Sequence, residues 1–352
     1  MKKLKFNINT LIRENIKQMK PYASARSEFK DIDANLIYLD ANENPFETGL
    51  NRYPDPQQLT LKEVLAQQKG VQVANILLGN GSDEILDLIF RVFCEPAKDN
   101  IITMPPTFGI YDVLANTNNI ENRKVVLNNH FQPNVDEILV TVDKNSKLLF
   151  ICSPNNPTGN SIETESITEL LNSFNGLVVI DEAYIDFSSK ESWVSELENY
   201  PNLIITQTLS KAYGLAGIRL GICYASKEIV SVLNKIKLPY NINELTQKRA
   251  LNRVLKIEEI KKEIDLILTE KEWLLKELLQ VKIIKKIYPT DANFVLVKVD
   301  DANTRYQQLI DKGIVLRNRT TQSLLENCLR ITVGTKEENE KLIKTLLLIS
   351  KR

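Results

Sequence analysis

Thr208-Leu-Ser-Lys211-Ala-Tyr-Gly-Leu-Ala-Gly217-Ile-Arg219-Leu-Gly221 sets one lysine among small and hydroxylated residues, with a single arginine eight positions later. A lysine enclosed by Gly, Ala and Ser loses solvent, and its ammonium gives up a proton more readily. The free amine then condenses with a carbonyl. The hydroxyls of Thr208 and Ser210 and the guanidinium of Arg219 suit a phosphate. An amine that traps a carbonyl beside a phosphate subsite points to pyridoxal 5′-phosphate (PLP). Lys211 alone does not carry this conclusion: Lys and Arg total 45, and most such side chains are solvated surface charges.

Two upstream segments add weight. Lys147-Leu-Leu-Phe-Ile-Cys152 is a short apolar run that reads as a buried strand, ending in the turn Ser153-Pro-Asn-Asn-Pro-Thr-Gly159. Gly176-Leu-Val-Val-Ile180 is a second such run and ends in Asp181-Glu-Ala-Tyr184. Ligands of open parallel sheets sit at the carboxyl ends of the strands. Asn156, Asp181, Tyr184 and Lys211 all emerge at that edge. Each has a plainer reading alone: a loop asparagine, an acidic strand end, a tyrosine at the core rim, a surface lysine. Their joint occurrence in this order is what argues for a site.

Composition narrows the classes. The 352 residues exceed one typical core and predict two domains. Charge balances at 45 acids and 45 bases, against nucleic acid or an anionic membrane as the main partner. The single histidine, His130, leaves no basis for a His-rich metal site or a Ser-His-Asp triad. Cys94, Cys152, Cys223 and Cys328 are widely spaced and read as buried reduced thiols of a cytoplasmic protein. Met1-Lys-Lys-Leu-Lys lacks a following apolar stretch, and Ile8, Leu11, Ile12, Ile16 and Met19 recur at helical spacing, so the start reads as an amphipathic arm and not a signal peptide. No apolar run approaches membrane-spanning length.

From about residue 57 to 240, strand-like and helix-like segments alternate, which predicts an α/β domain with a mainly parallel sheet. Beyond it, a charged helical segment over about 255–279 precedes strand-like Asn293-Phe-Val-Leu-Val-Lys, Ile314-Val-Leu-Arg and Cys328-Leu-Arg-Ile-Thr-Val. These predict a smaller α+β domain. The expected division is an arm over 1–39 packing with the small domain, a large domain over 40–250 and a small domain over 251–352.

Together, SPNNPTG, DEAY and TLSKAYGLAGIRLG resemble the fold type I, class II PLP-dependent aminotransferases. Leu39-Asp-Ala-Asn-Glu-Asn-Pro45, Arg52-Tyr-Pro-Asp-Pro56, Leu78-Gly-Asn-Gly-Ser-Asp-Glu84, Pro105-Pro-Thr-Phe108 and Leu329-Arg-Ile-Thr-Val-Gly-Thr335 narrow the likeness to the branch acting on histidinol phosphate. The resemblance implies a large domain with a mainly parallel seven-stranded sheet. It implies that Lys211 holds the cofactor covalently and then moves the proton at the substrate α-carbon. Asp181 would face the pyridine nitrogen, Asn156 and Tyr184 the ring oxygen, and Phe108 would stack on the ring. Ser82 and the Asp83 backbone would bind the cofactor phosphate opposite Thr208, Ser210 and Arg219, with the Asp83 carboxylate turned away. Arg330 would take the glutamate carboxylate, and Arg330 with Arg317 the substrate phosphate. Tyr22 would lie near that phosphate, and Tyr53 would reach the cofactor of a neighbouring subunit, making the active form a homodimer.

The implied reaction exchanges an amino group between histidinol phosphate and 2-oxoglutarate, giving imidazole-acetol phosphate and glutamate. An aromatic aminotransferase and a phosphothreonine decarboxylase-like lyase on the same scaffold are the alternatives. An intact Lys211 and the absence of room for a DNA-binding domain speak against a non-catalytic regulatory module.

Overall fold

The computed structural model describes residues 6–22 and 37–350. Its first helix, α1 (Glu14–Gln18), is short. Helix α2 (Leu59–Lys69) stops at Gly70, whose φ of 67° is the left-handed cap that glycine permits. Strand β1 (Ile76–Asn80) runs directly into α3 (Gly81–Phe93), followed by β2 (Asn100–Thr103), α4 (Ile110–Thr117), β3 (Glu121–Lys124) and α5 (Val135–Thr141). Then come β4 (Ser146–Cys152), α6 (Thr164–Ser173), β5 (Leu177–Asp181), β6 (Leu203–Thr208), β7 (Leu220–Ala225) and α7 (Lys227–Ile236). These seven strands form one sheet in the order β1-β7-β6-β5-β4-β2-β3. Only β7 runs against its neighbours; every other pairing is parallel.

Alternation along the central strands builds two cores. Leu149, Ile151, Val178, Ile180 and Ile205 face one layer of helices. Leu148, Phe150, Leu177, Val179 and Ile204 face the other. Burial on both faces explains why these strands read as unbroken apolar runs. The described part of the arm joins the second core: Leu11, Ile12 and Ile16 pack with Phe90, Phe93, Ile229 and Leu233 of α3 and α7. Arg13 holds it there, donating to Arg91 O at 2.9 Å and to Glu95 at 3.1 Å. This described part of the arm therefore packs on the helices of the large sheet and not on the smaller domain, because its apolar stripe completes the face left open by α3 and α7. The rest of the expected arm, residues 1–5 and 23–36, lies outside the described residues.

Helices α8 (Glu244–Val254) and α9 (Ile257–Leu278) lead to β8 (Ile284–Ile287), β9 (Phe294–Val299), α10 (Ala302–Ile310), β10 (Arg317–Asn318), β11 (Cys328–Thr332) and α11 (Lys336–Ile349). The second sheet is antiparallel throughout, in the order β10-β11-β9-β8. The run from Ile314 does not pair until Arg317, so β10 is shorter than its apolar pattern predicts. Val295, Val297 and Val299 pack under α9, α10 and α11, whereas Phe294 and Leu296 join the core of the large sheet. Period-two alternation thus fixes the second sheet against the first. It also sets Arg330, between core residues Leu329 and Ile331, on the face turned the other way.

Candidate active site

The antiparallel direction of β7 creates the site. Its start lies where β1 and β6 end, so Arg219 (before β7), Ser82 (after β1) and Lys211 (after β6) meet at one edge. Close approach there requires glycine. A Cβ on Gly221 would stand 2.3 Å from Ser82 N, and one on Gly81, at φ +76°, 2.7 Å from Arg219 Nη2. The junction is bonded by Gly81 N–H to Arg219 O at 2.8 Å and Leu209 N–H to Leu220 O at 3.0 Å.

A cavity of about 440 Å³ opens at this edge and is lined by twelve of the fourteen residues singled out in the sequence: Ser82, Asp83, Phe108, Asn156, Asp181, Tyr184, Thr208, Ser210, Lys211, Arg219, Arg317 and Arg330. Lys211 Nζ lies 5.6 Å from the centre of the Tyr184 ring. Burial and then the Arg330 charge press its ammonium pKa down, with Asp181 opposing. Asp181, at the end of β5, is 1% exposed. It accepts from the Tyr111 hydroxyl at 2.9 Å and from Ala183 N–H at 3.2 Å. Burial outweighs both bonds and raises the carboxyl to about 6. Burial likewise pushes the Tyr184 phenol up to about 12 against the pull of Arg330.

Arg330 Nη1 donates to Asn156 Oδ1, which leaves the Asn156 amide NH₂ as its free donor. The Arg330 guanidinium also lies 5.1 Å from the centre of the Phe294 ring. The Thr208 hydroxyl donates to Leu220 O at 3.2 Å and accepts from Ser210 N–H at 3.1 Å, which shapes the lysine loop. The Asp83 carboxylate does not turn away. It pairs with Arg219 Nη2 at 3.2 Å, because Arg219 reaches back across the glycine junction. Phe108 is half-buried and meets Tyr111 edge-on, ring centres 5.7 Å apart.

Tyr22 and Tyr53 are not in this cavity. They are 76% and 51% exposed and line a second hollow of about 1130 Å³ with Lys237 and Tyr240. Tyr53 stacks on Tyr240 at 4.5 Å between ring centres.

Sequence reasoning missed four contributors. Tyr111 comes from α4, seventy positions before Asp181, and no local pattern marks it. Buried Asn155 ties the Pro106 and Thr158 loops together, donating to Pro106 O at 2.8 Å and to Thr158 Oγ1 at 2.7 Å, which sets its neighbour Asn156. Arg319 and Gln322 line the cavity beside Arg317; the two-residue step from Arg317 to Arg319 was the available signal.

The four cysteines are buried and unpaired. Among the described residues no helix is long and apolar enough to cross a membrane, and no cluster of His, Cys, Asp or Glu could hold a metal.

A buried carboxylate, an amine of lowered pKa and an arginine–glycine cradle at the carboxyl edge of such a sheet define a PLP-dependent enzyme. The sequence matches the family described as aminotransferase class I and II over residues 4–346, and the chain belongs to it. It is 64% identical to histidinol-phosphate aminotransferase of Flavobacterium johnsoniae over 346 residues, covering 98% of this chain and 99% of that one. It is 61% identical to the enzyme of that name from Flavobacterium psychrophilum, covering 97% and 98%. The crystal structure of histidinol-phosphate aminotransferase from Clostridium acetobutylicum superposes with a TM-score of 0.80 at 25% identity, over 86% of this chain and 92% of that one. The Sinorhizobium meliloti enzyme, solved with PLP, shares the fold at a TM-score of 0.77 and 22% identity, covering 85% and 83%.

Proposed function

We propose that this chain transaminates histidinol phosphate with 2-oxoglutarate, yielding imidazole-acetol phosphate and glutamate, as a cytoplasmic homodimer. The observation that carries this is the charge layout of the cavity, joined to near-full-length identity with enzymes of that name. PLP fits that layout end to end. Asp181 is a buried anion without an ion pair among the described residues and suits a protonated ring nitrogen. Ser82 and the Asp83 backbone at the start of α3, with Ser210 and Arg219, suit the cofactor phosphate. Asn156 and Tyr184 suit the ring oxygen, and Phe108 the ring face.

Bound there, PLP supplies a sink for the electron pair left when the substrate α-carbon loses its proton. The protein does the rest. Lys211 carries that proton, and its lowered pKa keeps a larger share of the amine ready to accept it. Asp181 stays ionised once it faces a cation. Tyr111 and Ala183 fix its direction. Thr208 holds the loop that presents Ser210 and Lys211. Arg330 and Arg317 bind the anionic end of each substrate in turn.

The exposed tyrosines support a second copy as partner: Tyr53 would reach the neighbouring subunit's cofactor, and Tyr22 the substrate phosphate. The division into an arm over 1–39, a large domain over 40–250 and a small domain over 251–352 belongs to the same proposal.

Single-turnover absorbance of the PLP-loaded enzyme tests the reading. Histidinol phosphate and glutamate, each without keto acid, should convert the cofactor to its amine form quickly, and phenylalanine much more slowly. Equal rates with phenylalanine would make the enzyme a broad aromatic aminotransferase. Release of carbon dioxide would make it a lyase.

A further inference from the structure

Arg317 and Arg330 are direct partners across the antiparallel pair β10–β11. Arg319 follows two residues after Arg317, and its amide donates to Cys328 O at 2.9 Å, continuing the extended pairing. Side chains two apart on an extended chain share a face. Three guanidiniums therefore stand on one face of one hairpin, and all three line the cavity. Like charges set opposite one another across strands repel, so the arrangement asks for an anion. No carboxylate among the described residues offsets Arg319 or Arg330, and burial disfavours the charged form of each. Nε of Arg319 and Nε of Arg330 are both buried without a hydrogen-bond partner. An unmade bond of this kind costs roughly 1–3 kcal/mol until a ligand supplies the acceptor.

A carboxylate offers two oxygens and one charge, and one guanidinium satisfies it in a fork. A phosphate monoester offers three terminal oxygens and nearly two charges. We infer that Arg319 is the residue that selects the dianionic substrate: it adds the guanidinium that a phosphate monoester uses and a carboxylate does not. This rests on the reaction proposed above, in which one corner must accept a phosphate in one half-reaction and a carboxylate in the other.

The test compares wild type, Arg319→Gln and Arg319→Lys as PLP-loaded enzyme, by stopped-flow absorbance of each half-reaction. In Arg319→Gln, the half-saturating concentration of histidinol phosphate should rise about 30-fold and that of glutamate less than threefold. Limiting rates should stay within threefold, and Arg319→Lys should recover part of the loss. Inorganic phosphate should compete with histidinol phosphate in wild type far better than acetate, and this preference should shrink in Arg319→Gln. The second phosphate ionisation lies near pH 6, at about that value, so the wild-type preference should fall below it and the variant's should stay flat. Equal weakening for both substrates, or no change for either, would overturn the assignment. An unaltered cofactor absorbance band in both variants separates loss of binding from loss of folding. Wild type that does not react with histidinol phosphate would overturn the proposed reaction itself, and shows before any variant is made.

Discussion

Asp181→Asn should make the cofactor-free protein more stable at neutral pH while disabling the holoenzyme. Asp181 is 1% exposed, and burial lifts its carboxyl from an ordinary 3.8 to about 6. A raised folded-state pKa means that the native protein holds this proton more tightly than the unfolded chain does. The resulting stabilisation is present at low pH and is lost as pH rises through about 6. Two units correspond to about 3 kcal/mol of penalty once the group is fully ionised. Between pH 5 and pH 8 the difference should be about 1.4 kcal/mol, since at pH 5 the native carboxyl is mostly protonated and the unfolded one mostly ionised. Asparagine keeps the volume and can still accept from Tyr111, but it does not titrate. Urea unfolding of the PLP-free proteins, at equal protein concentration and at pH 5, 6, 7 and 8, measures the gap between variant and wild type. The gap should widen towards pH 8 by roughly that amount. A gap that is flat across this range would show that Asp181 is not perturbed, and the argument for a buried anion awaiting a cation would fail. With PLP added the order should reverse, wild type gaining more stability than Asp181→Asn.

Lys211→Ala should abolish the covalent cofactor band and slow both half-reactions by about 10³-fold or more, checked by absorbance and single-turnover kinetics. An added primary amine such as methylamine should restore part of the rate. Gly221→Ala places a methyl 2.3 Å from Ser82 N, so the glycine junction must open; PLP affinity should fall by at least tenfold, read by titration of the apoprotein. Tyr111→Phe removes the 2.9 Å bond to Asp181. Its carboxyl should rise further, and the acid limb of the rate profile should move to higher pH, with roughly a tenfold loss of rate at neutral pH.

The large sheet was legible because its central strands are buried on both faces and leave continuous apolar runs. β3, Glu-Asn-Arg-Lys over 121–124, was not, since an edge strand with exposed and half-exposed side chains carries no apolar signal. β8, Ile-Lys-Lys-Ile, was lost for a similar reason. In the site, residues beside the lysine or on strand ends declared themselves through local chemistry. Tyr111 did not, because its partner is fixed only by how α4 packs across the sheet. The Asp83 side chain was misread because its direction depends on Arg219, 136 positions away. Arg319 was readable in principle from its two-residue step after Arg317, opposite Arg330.

The alternation of β9 and β11, with alternate side chains entering separate cores, has a consequence for how such an enzyme changes over generations. Lys211, Asp181 and the glycine junction hang from one sheet; Arg317, Arg319 and Arg330 hang from the other. On the proposed function, substitutions of Arg317 or Arg319 would trade one acidic substrate for another without touching Lys211 or Asp181, whereas Arg330 also holds Asn156. Apart from Arg330, that hairpin is where the scaffold would have room to diversify.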